Sequence, residues 1–162
     1  MFFRSKKKPG QSAKDPRAAI LESKRAIGAS LREKTVVFIV EDTQFAILTP
    51  LIQSGVFRGI VSSKSRVLTY TGFFSDNLSA DVLVLKPSSR IGENLALFTD
   101  RLIDFKSSNP NSAVIVCATD PELSKRLIPH YQAGQIDSLE KSGSDDFQIL
   151  FNASKILERL QR

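Results

Sequence analysis

The segment Ala80–Pro87 reads A-D-V-L-V-L-K-P, with four consecutive aliphatic residues, Val82 to Leu85, held between Asp81 and Lys86. A run that is apolar on both sides of the pleat and closed by charge predicts a strand buried on both faces. That is the mark of a parallel sheet, since an antiparallel strand with one wet face would alternate. In open parallel sheets, ligands and chemistry collect at the carboxyl ends of the central strands. The residue expected at that position is therefore a lysine, Lys86.

Two more runs share this character. Thr35–Val40 (T-V-V-F-I-V) is the first strand, and Ala113–Ala118 (A-V-I-V-C-A) the fourth. Between them the pattern alternates. Thr43–Ser54 has helical spacing through Phe45, Leu48, Leu51 and Ile52 and stops at Gly55. Val56–Val61 reads as the second strand, and Ser62–Ser79 as a short helix or covering loop that buries Tyr70, Phe73 and Phe74. After the third strand, Asp81–Leu85, turn residues Pro87–Gly92 lead to a helix over Glu93–Lys106. Thr119 is expected to cap a helix that ends near Gly134. Ile136–Leu139 is the fifth strand, and Ser144 is expected to cap a last helix through Leu160. Strands alternating with helices demand a parallel sheet covered on both faces. Five such strands predict a flavodoxin-like α/β fold in the order 2-1-3-4-5. The carboxyl ends of strands one, three, four and five then bring Glu41-Asp42, Lys86, Ala118-Thr119 and Lys141 to one crevice.

At 162 residues, 41% apolar and 25% charged, the chain can bury one full core. No apolar run approaches the roughly 20 residues of a membrane helix. Met1-Phe2-Phe3 is too short for a signal-peptide core, so a cytoplasmic protein is expected. One cysteine, Cys117, and one histidine, His130, allow neither an internal disulfide nor an ordinary zinc site. The net charge of +6 is unevenly spread: residues 1–34 hold 10 Lys/Arg against 3 Asp/Glu, and residues 35–162 hold 13 against 14. The chain thus divides into a basic leader, 1–34, and a nearly neutral body, 35–162. Within the leader, Asp15-Pro16 starts a helix that runs to about Lys34 with a narrow stripe of Ile20, Ile27 and Leu31. That stripe needs a partner surface: the body, a second copy or another protein. Its basic residues (Arg4, Lys6, Lys7, Lys8, Arg17, Lys24, Arg25) suit nucleic acid or an anionic membrane, or simply form a solvated charged face.

Three places make residues 35–161 resemble the receiver domain of bacterial two-component response regulators. Ile39-Val40-Glu41-Asp42 is similar to the acidic pair that holds Mg²⁺ in that family. The A-D-V-L-V-L segment is similar to the strand leading to the phosphorylated aspartate. Ala133–Lys141 (A-G-Q-I-D-S-L-E-K) matches the family's A-G-x-x-x-x-L-x-K run, with Lys141 at its lysine. The departures fall on the switch itself. Lys86 stands where the resemblance implies the phosphoacceptor aspartate. Ala118 stands at the Ser/Thr position, Ser138 at the aromatic switch position, Ser142 at the proline after the lysine, and Arg90 where a proline is usual.

An acyl phosphate forms when a carboxylate attacks phosphorus with Mg²⁺ bridging the charges. An ammonium has no lone pair for that attack, and it competes with the cation for Glu41 and Asp42. The expectation is a pseudo-receiver in which Lys86 takes the metal's place and pairs with Asp42, beside Lys141, with no metal and no cofactor. No Walker loop, G-x-G-x-x-G or Ser-His-Asp order accompanies it, so no enzyme is expected. The remaining use is binding. The resemblance implies docking or homodimerisation through the fourth helix, fifth strand and fifth helix, here with Lys125, Arg126, Tyr131 and Ser138. The expected function is a stand-alone adaptor for a protein partner, with no effector domain after Arg162. A DNA- or membrane-associated regulator acting through the leader is the second reading.

Overall fold

In the computed structural model, residues 17–18, 31–42, 60–75, 77–140 and 145–161 are described. Five parallel strands form one sheet: β1 (Val36–Val40), β2 (Arg66–Thr69), β3 (Val82–Leu85), β4 (Ala113–Cys117) and β5 (Ser138–Glu140). Their order is β2-β1-β3-β4-β5, the flavodoxin-like arrangement the alternation predicts. The helices are α1 (Tyr70–Ser75), α2 (Leu95–Ser108), α3 (Pro121–Gln132) and α4 (Asp146–Leu160); a 3₁₀ segment, Ser89–Asn94, leads into α2.

The three apolar runs become the three central strands, and every residue of β1 and β3 is buried. Alternate side chains feed two cores. Val36, Phe38, Val40, Val82, Val84 and Ile115 pack under α4 through Ile149, Leu150, Ala153 and Leu157. Val37, Ile39, Leu83, Leu85, Val114 and Val116 face the other way, onto Phe73 of α1, Phe98 and Leu102 of α2 and Leu127 of α3. Leu31, at the end of the leader, is fully buried in the first core.

The second strand is not Val56–Val61. Residues 56–59 lie outside the described residues, Ile60 is in a turn, and the ladder forms at Arg66–Thr69, where Phe38 registers with Val67. Arg66–Thr69 is an edge strand with only Val67 buried, so it lacks the unbroken apolar run of its neighbours. Tyr70–Ser75 is the short helix with buried rings; Tyr70 and Phe73 are the buried ones. The helix over 43–54 and most of the leader lie outside the described residues.

Two caps sit one residue later than read. Asp120, not Thr119, accepts from the Leu123 amide at 3.3 Å, directly before Pro121 at the first helical position. Asp145, not Ser144, accepts from the Gln148 amide at 2.8 Å. β5 begins at Ser138; Ile136 is buried but precedes the strand.

The amino edge of the sheet is fixed by Asp137. Its Oδ2 accepts from Lys106 Nζ and from the Val114 amide, each at 2.8 Å. Lys106 Nζ also donates to the Ser112 carbonyl at 2.7 Å.

Candidate functional site

The crevice residues follow from the pleat. β3 points Val82 and Val84 toward α4, so Lys86, two residues on, extends the same way. Its ammonium meets Asp146 Oδ1 at 2.6 Å, in the first turn of α4, with the two side chains 20% and 17% exposed. It also lies 5.8 Å from the centre of the Phe38 ring. β1 points Val37 and Ile39 to the opposite face, and Glu41 continues that series. Glu41 Oε1 accepts from Ser88 Oγ at 2.8 Å and from the Ser88 amide at 3.3 Å.

The expected Lys86–Asp42 pair is therefore replaced by Lys86–Asp146. Asp42 lies past the end of β1 in an exposed position. Glu41 and Lys86 leave neighbouring strands on opposite faces of the sheet. Lys141 lies outside the described residues. Asp146 and Ser88 are the members the sequence reading missed. Asp146 was visible only as the second of two acidic residues at a helix start, and its partner is 60 positions away.

Around Lys86, the face toward α4 carries a small polar group. Glu140 Oε2 accepts from Ser138 Oγ at 3.0 Å and Glu140 Oε1 from Asn152 Nδ2 at 3.2 Å. Burial pushes the Cys117 thiol up to about 12; Lys86 opposes the shift, while Glu140 and Asp146 add to it. A thiol held neutral in this way is a weak nucleophile at neutral pH.

Ala118 is buried on the other face, and Thr119 is exposed. Both line a hollow of about 250 Å³ with Ser124, Lys125 and Ile128. Lys125, Arg126 and Tyr131 are exposed along α3. Ser138 is turned instead toward Glu140. Arg17 is exposed in helical backbone; Arg4, Lys6, Lys7, Lys8, Lys24 and Arg25 lie outside the described residues. His130 Nδ1 pairs with Gln135 Oε1 at 2.7 Å across the turn that closes α3.

The donor set does not fit the divalent cation that the receiver resemblance implies. Glu41 is engaged by Ser88, Asp42 is exposed, and Lys86 stands where the resemblance puts a third carboxylate. Among the described residues, no three His, Cys, Asp or Glu side chains gather to hold a metal. None of the helices among the described residues is long and apolar enough to cross a membrane.

No family model and no curated protein matches the chain. Solved structures do. The pilus assembly protein CpaE of Caulobacter crescentus CB15 is similar with a TM-score of 0.51 and 9% identity, over 78% of this chain and 95% of that one. The signal receiver domain of an HD domain-containing protein from Pseudomonas fluorescens Pf-5 gives 0.49 and 17%, over 80% and 98%. A response regulator receiver domain protein from Clostridium thermocellum gives 0.47 and 18%, over 78% and 97%. These are likenesses of fold.

Proposed function

We propose that the chain is a receiver-like interaction module that works without phosphorylation and docks a protein partner. The observation that carries this reading is the Lys86–Asp146 ion pair at 2.6 Å. An ammonium occupies the position where the resemblance puts the phosphoacceptor, and it ties β3 to the first turn of α4. A pair this sheltered contributes about 1 kcal/mol, and no cation from solvent is needed to balance the carboxylate. The chain acts by binding, with no catalytic step. Lys125, Arg126 and Tyr131 on α3 supply the surface, either for a different protein or for a second copy. The likeness to a pilus assembly protein is one of fold and brings no activity with it.

The test treats the full-length protein with acetyl phosphate and Mg²⁺. The wild type stays unlabelled, and it captures the same partner from its native host with or without the donor. Lys125→Glu combined with Arg126→Glu abolishes that capture. Phosphorylation of the wild type at the crevice, or capture that depends on the donor, would refute the reading. A second reading rests on the leader's charge, 10 Lys/Arg against 3 Asp/Glu in residues 1–34: contact with nucleic acid or an anionic membrane.

A further inference from the structure

We propose that the occupant of the α3 surface is a second copy of this chain, and that Leu97 of each copy seats in the hollow beside α3 of the other. The inference rests on the reading of α3 as a docking surface and names what docks there. Among the described residues, the exposed large hydrophobic side chains are Leu97, 45% exposed, and Tyr131, 48% exposed. They stand on neighbouring helices, α2 and α3, which cover the same face of the sheet through Phe98 and Leu102 and through Leu123 and Leu127. A lone exposed leucine is ordinary. This one has a matching recess and matching charges on the helix next to it.

The recess is the hollow of about 250 Å³ along the first two turns of α3, walled by Ala118, Pro121 and Ile128 with Lys125 at its rim. Its wall is mostly apolar. A leucine cut from a packed core leaves a void on the order of 150 Å³, so a leucine side chain fits.

The charges agree with the shape. From Glu93 to Ser108, every exposed charged residue is acidic: Glu93, Asp100 and Asp104. Leu97, Asp100 and Asp104 share one helical stripe at i, i+3 and i+7. Arg101 and Lys106 are half-buried; they donate to the Phe73 carbonyl at 3.1 Å and to Asp137 at 2.8 Å. α3 exposes Lys125 and Arg126 against one carboxylate, Glu122. An apolar knob edged by negative charge thus stands beside an apolar recess edged by positive charge.

The topology fixes how two copies meet. α2 and α3 both run from the carboxyl end of the parallel sheet toward its amino end. Leu97, in the first turn of α2, and the hollow at the start of α3 therefore lie at the same end. A two-fold axis parallel to these helices and between them lays α2 of each copy over α3 of the other with those ends together. Each Leu97 then reaches the other copy's hollow, and Asp100 and Asp104 run beside Lys125 and Arg126, the reciprocal contact of an isologous dimer. A two-fold axis across the helices would instead stack α2 on α2 and set Asp100 and Asp104 against their own counterparts, which like charge disfavours.

The experiment is sedimentation velocity of the full-length protein as its concentration is raised. The wild type passes from monomer to dimer. Leu97→Asp weakens pairing about tenfold or more, and because the side chain is nearly half exposed its thermal melt stays that of the wild type. Asp100→Lys with Asp104→Lys gives a monomer, and so does Lys125→Glu with Arg126→Glu. All four changes in one chain restore the dimer, since each contact is reversed on both sides. A wild type that stays monomeric, a dimer indifferent to Leu97→Asp, or a fourfold variant that stays apart would overturn the pairing. A monomeric wild type that still captures a host protein through Lys125 and Arg126 overturns the pairing alone. Labelling by acetyl phosphate of a wild type that pairs as described overturns the phosphorylation-independent reading and supports the pairing.

Discussion

Lys86 and Glu41 leave adjacent strands in opposite directions, and this divides the crevice chemistry in two. Toward α4 lie an ammonium, Asp146, Glu140 and the Cys117 thiol; toward α1 lie Glu41 and the Tyr70 phenol. The residue types at the site were legible in the sequence, because strand ends fix which positions reach the rim. Their pairing was not. Whether a rim residue turns up or down depends on the parity of its strand, and its partner comes from an element far along the chain. Cys117 gives a prediction at this scale. The unfolded chain loses the thiol proton near its ordinary 9.0, whereas the folded protein keeps it to about 12. Above pH 9 the unfolded state thus binds fewer protons, so stability is full below about pH 9 and falls as pH rises toward 12. Cys117→Ala should flatten that alkaline decline in urea midpoints measured across the window. A thiol reagent at about pH 8 should label the native wild type slowly and the unfolded chain quickly.

At the scale of elements, α4 is the piece on which the Lys86 contact depends. Its first turn carries Asp146, and the turn is held by the Asp145 cap on the Gln148 amide at 2.8 Å. Asp145→Ala should cost about 1 kcal/mol, read as a shift in the denaturation midpoint. Gly134 ends α3 at φ 81, a left-handed position where a side chain has open space but a strained backbone. Gly134→Ala should cost a similar amount, about 1 kcal/mol. The interior strands were readable because burial on both faces forces an unbroken aliphatic run. β2 was misplaced because an edge strand is covered on one side only; Arg66–Thr69 keeps a single buried residue, and Val56–Val61 offered a more apolar decoy. The caps shifted by one because two capping residues stand side by side at each helix start, Thr119-Asp120 and Ser144-Asp145, and the choice between them is made by backbone geometry.

For the molecule as a whole, the uneven charge sets what long-range forces can do. The body, with 13 basic against 14 acidic residues, exerts little net pull, whereas the leader carries 10 against 3. If the leader meets DNA or anionic vesicles, log affinity should fall linearly with log salt, with a slope near one per cation engaged on duplex DNA. Replacing Lys6, Lys7 and Lys8 by Gln should lower that slope by about three. Capture of a protein partner through α3 should keep its yield over the same salt range.

Asp137 touches Lys106 of α2, the Val114 amide of β4 and the start of β5 at once. β5 therefore cannot creep along its neighbour: a slip of one residue would swing Leu139 out of its core and drive Glu140 into it. The three-residue border of the sheet is keyed like a plate on a dowel, so a molecule that grips this flank meets a surface of fixed relief.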